Sequence, residues 1–366
     1  MTEGFKRIAI VGVGLIGGSL GLAIKRAGLD IKIVGISRSR TVATAKRLGA
    51  IDEGYSYEAM ARGLEGVELV FLCTPILQIL ALMDQVSSCI GPGTIVTDVG
   101  STKGEIVAKA GEVFGEEVSF VGGHPMAGAE KRGAANADPF LFQNAIYVLT
   151  PPEGAPEGPT ERLRGLLGQL GARVVAMPPE QHDQIAAAIS HLPQMLAVSL
   201  VNMVGKLNAD DPFFLQLAAG GFRDMTRIAS SPYEVWLDIC ETNRAEIAGM
   251  IDRYIEALGD LRKQLVEEGL EGAFGFANIT RDAIPRDSKG FMHPHPEILV
   301  VAEDRPGIIA GISTLLAGEE ININDIEVLK VREGEGGTLR LAFESEMAAA
   351  RAVALLNENG YEARRR

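Results

Sequence analysis

Ile8-Ala9-Ile10-Val11-Gly12-Val13-Gly14-Leu15-Ile16-Gly17-Gly18-Ser19-Leu20 is the stretch that decides the fold. A β-branched apolar run enters a Gly-x-Gly-x-x-Gly pattern at Gly12, Gly14 and Gly17, then continues with helical spacing. The pattern is common by itself. Directly after a strand and at the opening of a helix it specifies a dinucleotide-binding turn. The glycines allow the tight turn, close approach of the backbone to a pyrophosphate and close helix packing, while the helix N-terminus supplies the positive dipole end. Leu15, Ile16, Thr74 and Pro75 complete the expected cofactor-binding set. Lys6-Arg7 ahead of Ile8–Ile24 imitates the start of a secretory signal. The fixed glycine offsets, and Lys25-Arg26 without a small-residue cleavage pattern, favour a buried strand and helix. No other stretch reads as long and apolar enough to span a bilayer.

Beyond this stretch, short β-rich runs alternate with helical patterns, the signature of a parallel sheet flanked by helices. The strands expected are Ile8–Val13, Ile31–Ile36, Leu69–Cys73, Ile95–Asp98, Ser119–Val121, Ala145–Leu149 and Arg173–Ala176. The second of them predicts the cofactor. NAD enzymes place an acid about twenty residues past the glycines to hold the ribose diol. Here Ser37-Arg38-Ser39-Arg40 stands there instead. A hydroxyl with Arg38 and Arg40 matches a 2′-phosphate better than a diol, which favours NADP. The alternative is NAD with the arginines stacked on its adenine.

After Pro178 the β signal disappears. Ile185, Ile189, Leu192, Leu196, Leu200 and Val204 form a long apolar helix face, and a second long helix is expected from Tyr233 to Glu267. Faces this apolar are expected to pack on a second copy of the chain. Gly272–Pro296 reads as a linker ending in Met292-His293-Pro294-His295-Pro296, whose two histidines lack the company of a metal site. The last part follows the order βαββαβ, a small ferredoxin-like module. The expected domains are an α/β Rossmann domain (1–178), an all-α substrate and dimerisation domain (179–280), a linker (281–296) and the ferredoxin-like module (297–366).

With 48 acidic against 35 basic residues the chain carries a formal charge of −13, which argues against nucleic acid or an anionic membrane as partner. An anionic substrate must therefore be caught by a local group of cations. The three cysteines, Cys73, Cys89 and Cys240, have no metal spacing and read as reduced thiols of a cytoplasmic protein.

Two further motifs sit where loops at the carboxyl ends of later strands should face the nicotinamide: Asp98-Val99-Gly100-Ser101-Thr102-Lys103 and Gly122-Gly123-His124-Pro125-Met126-Ala127-Gly128. A lone histidine is usually structural. His124, held between glycines and a proline on a loop of the ligand-binding edge, favours function.

With these motifs, SHLPQ (190–194) and GGFRDMTRIA (220–229), the chain resembles the prephenate/arogenate dehydrogenase family over about its first 280 residues. The segment EDRPGIIAGISTLLAGEEININDIEV resembles an ACT domain, an amino-acid-binding regulatory module. The resemblance implies oxidative decarboxylation of prephenate to 4-hydroxyphenylpyruvate with NAD or NADP, in tyrosine biosynthesis. It implies that His124 takes the proton of the ring hydroxyl and that Ser101 places the same oxygen. Arg223 is expected to grip the ring carboxylate, with Arg227, Lys131 and Arg244 as candidates for the side-chain carboxylate and Glu130 pairing with one of these cations. His191 matches a family position near the substrate, or else is a satisfied core histidine. Gln194 stands where some relatives have histidine, which shifts expected tyrosine feedback toward the ACT module. There Asp304, Gly307 and Asn322 are the expected effector contacts. Arogenate as substrate, a β-hydroxyacid-type dehydrogenase and a non-catalytic amino-acid sensor are the competing readings.

Overall fold

The computed structural model describes residues 4–128, 132–267, 269–284, 295–302, 305–332 and 336–365. They divide into two compact units, Met1–Leu270 and Glu271–Arg366.

The first unit is built on an eight-stranded sheet in the order β3-β2-β1-β4-β5-β6-β7-β8. Its strands are β1 (Arg7–Val11), β2 (Lys32–Ile36), β3 (Glu53–Tyr55), β4 (Leu69–Leu72), β5 (Ile95–Asp98), β6 (Ser119–Pro125), β7 (Ile146–Thr150) and β8 (Arg173–Ala176). All neighbours pair in parallel except β6 and β7. The strands read as continuous apolar runs because both faces are covered. Ile8 and Ile10 pack on one side with Leu20 and Ile24, while Ala9 and Val11 pack on the other with Val70 and Ile79. The helix Leu15–Arg26 carries Gly17, Gly18 and Gly21 in its interior, at a propensity cost of about 1 kcal/mol each. Full burial of Leu20 and Ile24 offsets this at ~1.5–3 kcal/mol per side chain.

The chain reverses its winding at β1, whose two neighbours are β2 and β4. The crevice beyond the carboxyl ends of β1 and β4 is thus the place where an open α/β sheet binds its ligand.

From Pro179 the unit is helical. Pro179–Asp210 is one long helix that passes through a π-helical turn at Ala187–His191. Contrary to the sequence expectation, its length and composition alone suffice to cross a membrane. The second long helix is in fact two, Tyr233–Thr242 and Arg244–Val266, broken at Asn243. Asn243 adopts φ −132° and spends its buried amide on Asp183 and His191.

Part of the expected linker is also ordered, since Glu271–Ala283 forms a helix of the second unit. The remainder of that unit has strands β9 (Glu297–Ala302), β10 (Asp325–Arg332), β11 (Gly336–Ala342) and β12 (Glu362–Arg365), and helices Ile308–Gly318 and Glu346–Glu358. Its antiparallel sheet has the order β10-β11-β9-β12, the expected ferredoxin-like arrangement. Ile298, Val300, Leu339 and Leu341 pack with Ile312, Leu316 and Leu356 in its core.

Candidate active site

The glycine turn is built to receive a phosphate. Gly12 has φ +97°, and a Cβ there would lie 2.7 Å from the Cys73 carbonyl carbon. A Cβ on Gly17 would strike the Gly12 carbonyl oxygen, whereas one on Gly14 would meet nothing. Gly12 and Gly17 are thus required by packing, and Gly14 leaves open space over the turn. The helix that follows has no side-chain cap and no acid in its first turn, so its first amides remain for an anion. The Thr74 hydroxyl, also at this crevice, is buried without a partner among the described residues. These features fit a dinucleotide.

A cavity of about 560 Å³ opens beside the turn and is lined by Leu15, Ile16, Thr74, Pro75, Ser101 and His124. Six residues expected from the sequence therefore share one wall. Cys73 lines the same cavity, but burial pushes its thiol pKa up, which disfavours the thiolate that a nucleophile needs.

His124 belongs to β6 itself rather than to a loop after it. Its register partner on β7 is Val148, which fixes the backbone beneath the ring. Its Nδ1 lies 2.8 Å from His182 Nε2, and His182 Nδ1 lies 2.8 Å from Asp183 Oδ1. That carboxylate also accepts the Lys103 and Gly104 amides, each at 2.7 Å. A carboxylate oxygen only accepts, so the His182 proton sits on Nδ1 and its Nε2 is an acceptor. His124 must then donate from Nδ1. Its Nε2 keeps the lone pair, the form a general base needs. Burial and the neighbouring His182 hold the His124 pKa well below the usual imidazole range, so the ring stays neutral near pH 7.

His191 is not part of this wall. It is buried, its Nδ1 lies 3.2 Å from Asn243 Nδ2, and its ring meets Trp236 edge-on at 6.0 Å. Burial lowers its pKa to about 4. Its burial and its bond to Asn243 fit the core reading of this histidine.

Nor does the structure bring the expected arginines to the cavity of their own chain. Arg223, on the short helix Gly220–Thr226, Arg227 and Arg244 are exposed, and none lines the cavity. Arg244 instead pairs with Glu241 at 3.4 Å. Among the described residues the cation that lines it is Arg132, with Glu234 and Asp238 opposite in charge. Only its place beside Lys131, after the His124 motif, signalled it in the sequence. Glu130 and Lys131 lie outside the described residues. Ser37 is buried at the end of β2, whereas Arg38 and Arg40 are exposed there.

In the second unit Gly307 has φ +89° and caps the helix Ile308–Gly318, a conformation that calls for glycine. Asn322 is exposed and its amide donates to Asn324 Oδ1 at 2.9 Å. Asp304 lies outside the described residues. A feature no pattern foretold is Arg340, buried on β11 and paired with Glu297, Asp325 and Glu327 at 2.6, 2.7 and 2.8 Å.

Residues 20–176 match the family model of the prephenate dehydrogenase nucleotide-binding domain, 178–277 that of the prephenate dehydrogenase dimerization domain, and 297–359 the ACT domain. A prephenate dehydrogenase of Bacillus subtilis (strain 168) is 38% identical over 93% of this chain and 92% of its own length. The crystal structure of prephenate dehydrogenase from A. aeolicus with hydroxyphenyl propionate and NAD+ covers 77% of this chain and 98% of that one, at TM-score 0.70 and 29% identity. A Synechocystis arogenate dehydrogenase aligns with TM-score 0.69 and 32% identity over 75% of this chain and 99% of its own.

Proposed function

The chain belongs to the prephenate dehydrogenase family, and on that premise we infer that its cleft carries out the oxidative decarboxylation of prephenate to 4-hydroxyphenylpyruvate. The observation that carries this reading is the His124 tautomer, with Nε2 left as an acceptor by the His182–Asp183 chain. The Gly12–Gly17 turn would hold the pyrophosphate of a nicotinamide dinucleotide, which when bound would supply the hydride acceptor. His124 Nε2 takes the proton of the ring hydroxyl, and the Ser101 hydroxyl on the same wall orients that oxygen. Loss of CO2 then makes the ring aromatic, a step that needs no further group from the chain. Arg132 holds a substrate carboxylate by a charge-assisted bond.

Ser37, Arg38 and Arg40 support NADP over NAD, because the exposed guanidiniums stand at the end of β2 where a 2′-phosphate would lie. Pairing of two chains is supported by the exposed apolar stripe of Ile255, Leu258, Leu261 and Leu265, together with Ile189 and Met203. It gives the helix Pro179–Asp210 an apolar partner other than lipid. The ACT module supports amino-acid feedback, in which Gly307 and Asn322 would contact the effector, with tyrosine as the logical effector.

The test is a four-way assay of reduced-nicotinamide absorbance, with prephenate and arogenate each supplied with NAD and NADP. Turnover of prephenate, faster with NADP, is the expected result. Turnover of arogenate alone would reassign the substrate, and binding of an amino acid without any turnover would make the chain a sensor.

A further inference from the structure

Beneath the two catalytic side chains lies an ion pair that the reaction itself does not use. The Lys103 and Asp98 side chains are both 0% exposed and bonded to one another. Placing two charges in a protein interior is costly unless further bonds satisfy them.

Here nearly every polar atom of the pair goes to the backbone that carries Ser101 and His124. Asp98 Oδ2 accepts the Gly100 amide at 2.7 Å, one residue before Ser101. Asp98 Oδ1 accepts the Gly123 amide at 3.0 Å, one residue before His124. Lys103 Nζ donates to the Gly123 carbonyl at 2.8 Å. Gly123 is thus held at both its N–H and its C=O by the two members of one ion pair.

The location explains the need. The β5–β6 ladder runs through Ile95↔Ser119, Val96↔Phe120 and Thr97↔Val121 and ends there. Beyond it the Asp98 and Lys103 side chains take over the strand-to-strand bonding, across the part of β6 that bears His124. The fit is close, since a Cβ on Gly123 would come within 2.6 Å of the Asp98 carbonyl oxygen. One on Gly100 would come within 3.0 Å of Asp98 Oδ2 and 2.6 Å of Ile106. The Lys103 amide meanwhile bonds to Asp183 Oδ1, the atom that orients His182. A single residue therefore joins the Ser101 loop, the His124 strand and the helix carrying the His182–Asp183 pair.

We propose that the buried Asp98–Lys103 pair is the positioning element of the active site, setting Ser101 and His124 at their working separation from the hydroxyl they share. It acts through these residues and touches no reactant.

The proposal rests on prephenate oxidation as the activity, so the parent chain is assayed first. Absence of parent turnover defeats that reading and is distinct from any result with the variants. The informative variants are Lys103→Met, Asp98→Asn and the double Asp98→Asn/Lys103→Met, which removes both charges at nearly constant volume. Each is measured for melting temperature, cofactor Kd, KM, kcat and the pH profile of kcat. Lys103→Met leaves a buried carboxylate unpaired and lowers the melting temperature, which the double variant largely recovers. Turnover does not recover with it. In the double variant kcat stays ~10²-fold below the parent, the scale of loss for a misplaced catalytic group, with cofactor Kd and KM within about threefold (under 0.7 kcal/mol). In Lys103→Met alone the acid limb of the kcat profile moves to higher pH, because the Lys103 charge no longer disfavours the imidazolium of His124.

A purely structural pair would give the opposite result, with kcat returning alongside the melting temperature in the double variant. That outcome overturns the proposal. If the double variant does not fold, Asp98→Asn, which keeps one carbonyl acceptor, is read in the same assays. Folded, cofactor-binding Asp98→Asn with parental kcat overturns it equally.

Discussion

His124 and His182 stand edge to face, 5.0 Å between ring centres at 74°, with Nδ1 of the first 2.8 Å from Nε2 of the second. Fifty-eight positions separate them in the chain, yet the second decides which nitrogen of the first can accept a proton. Replacement of His182 tests this directly. His182→Leu removes the acceptor and frees His124 to take either tautomer, which should lower kcat ~10–10²-fold. His182→Gln can still accept through its amide oxygen and should recover part of that loss. Equal activity in the two variants would show that the tautomer is fixed elsewhere.

The pH dependence of turnover follows from the same contact. Catalysis needs the neutral imidazole, and burial lowers the His124 pKa well below its ordinary 6.5. Protonation, and with it loss of kcat, therefore begins on the acid side of that value. A kcat profile whose acid limb lies at or above pH 6.5 would contradict the burial argument.

Stability should show a separate acid dependence through His191. Its pKa is about 4 in the fold against 6.5 when free. Between these values the unfolded chain binds a proton that the folded chain refuses, so stability falls as the pH falls through that window. Its contribution at pH 7, fully lost below both values, is about 3 kcal/mol. Denaturant unfolding of the parent and His191→Asn across pH 7 to 4 checks this, with a shallower slope expected in the variant. Identical slopes would remove His191 as the source.

Charge at the two ends of the cleft should separate kinetically. Arg132→Ala should raise KM for prephenate by ~10–10² with little change in KM for the cofactor, the cost of one charge-assisted bond. Arg38→Ala with Arg40→Ala should instead raise KM for NADP ~10-fold or more while sparing NAD. An unchanged NADP preference would mean that these guanidiniums do not meet a phosphate.

Local patterns carried the Rossmann strands and the glycine turn because both are written in consecutive residues. β3 was not legible: Glu53-Gly54-Tyr55 has weak strand character and owes its form to pairing with β2. The extension of β6 through His124 is hidden in the sequence for a related reason. Gly122-Gly123 and Pro125 look like a loop, but a Cβ on Gly122 would strike the Thr150 hydroxyl of the neighbouring strand. Glycine here serves strand packing. His182 follows Pro178-Pro179-Glu180 and resembles any residue in a helical first turn; only the fold carries it to His124. The arginines fared differently. Family resemblance points to Arg223, and the need for cations at two carboxylates to Arg227 and Arg244; the fold leaves all three exposed in the helical region, while Arg132 lines the cavity.

The most direct test of the central claim compares prephenate turnover by the parent chain and by His124→Asn, each first shown to bind the cofactor. The parent should oxidise and decarboxylate prephenate, and the variant should do so ~10²–10⁴-fold more slowly with nearly unchanged cofactor affinity. A cofactor-binding parent that leaves prephenate untouched, or a variant as fast as the parent, would contradict the account.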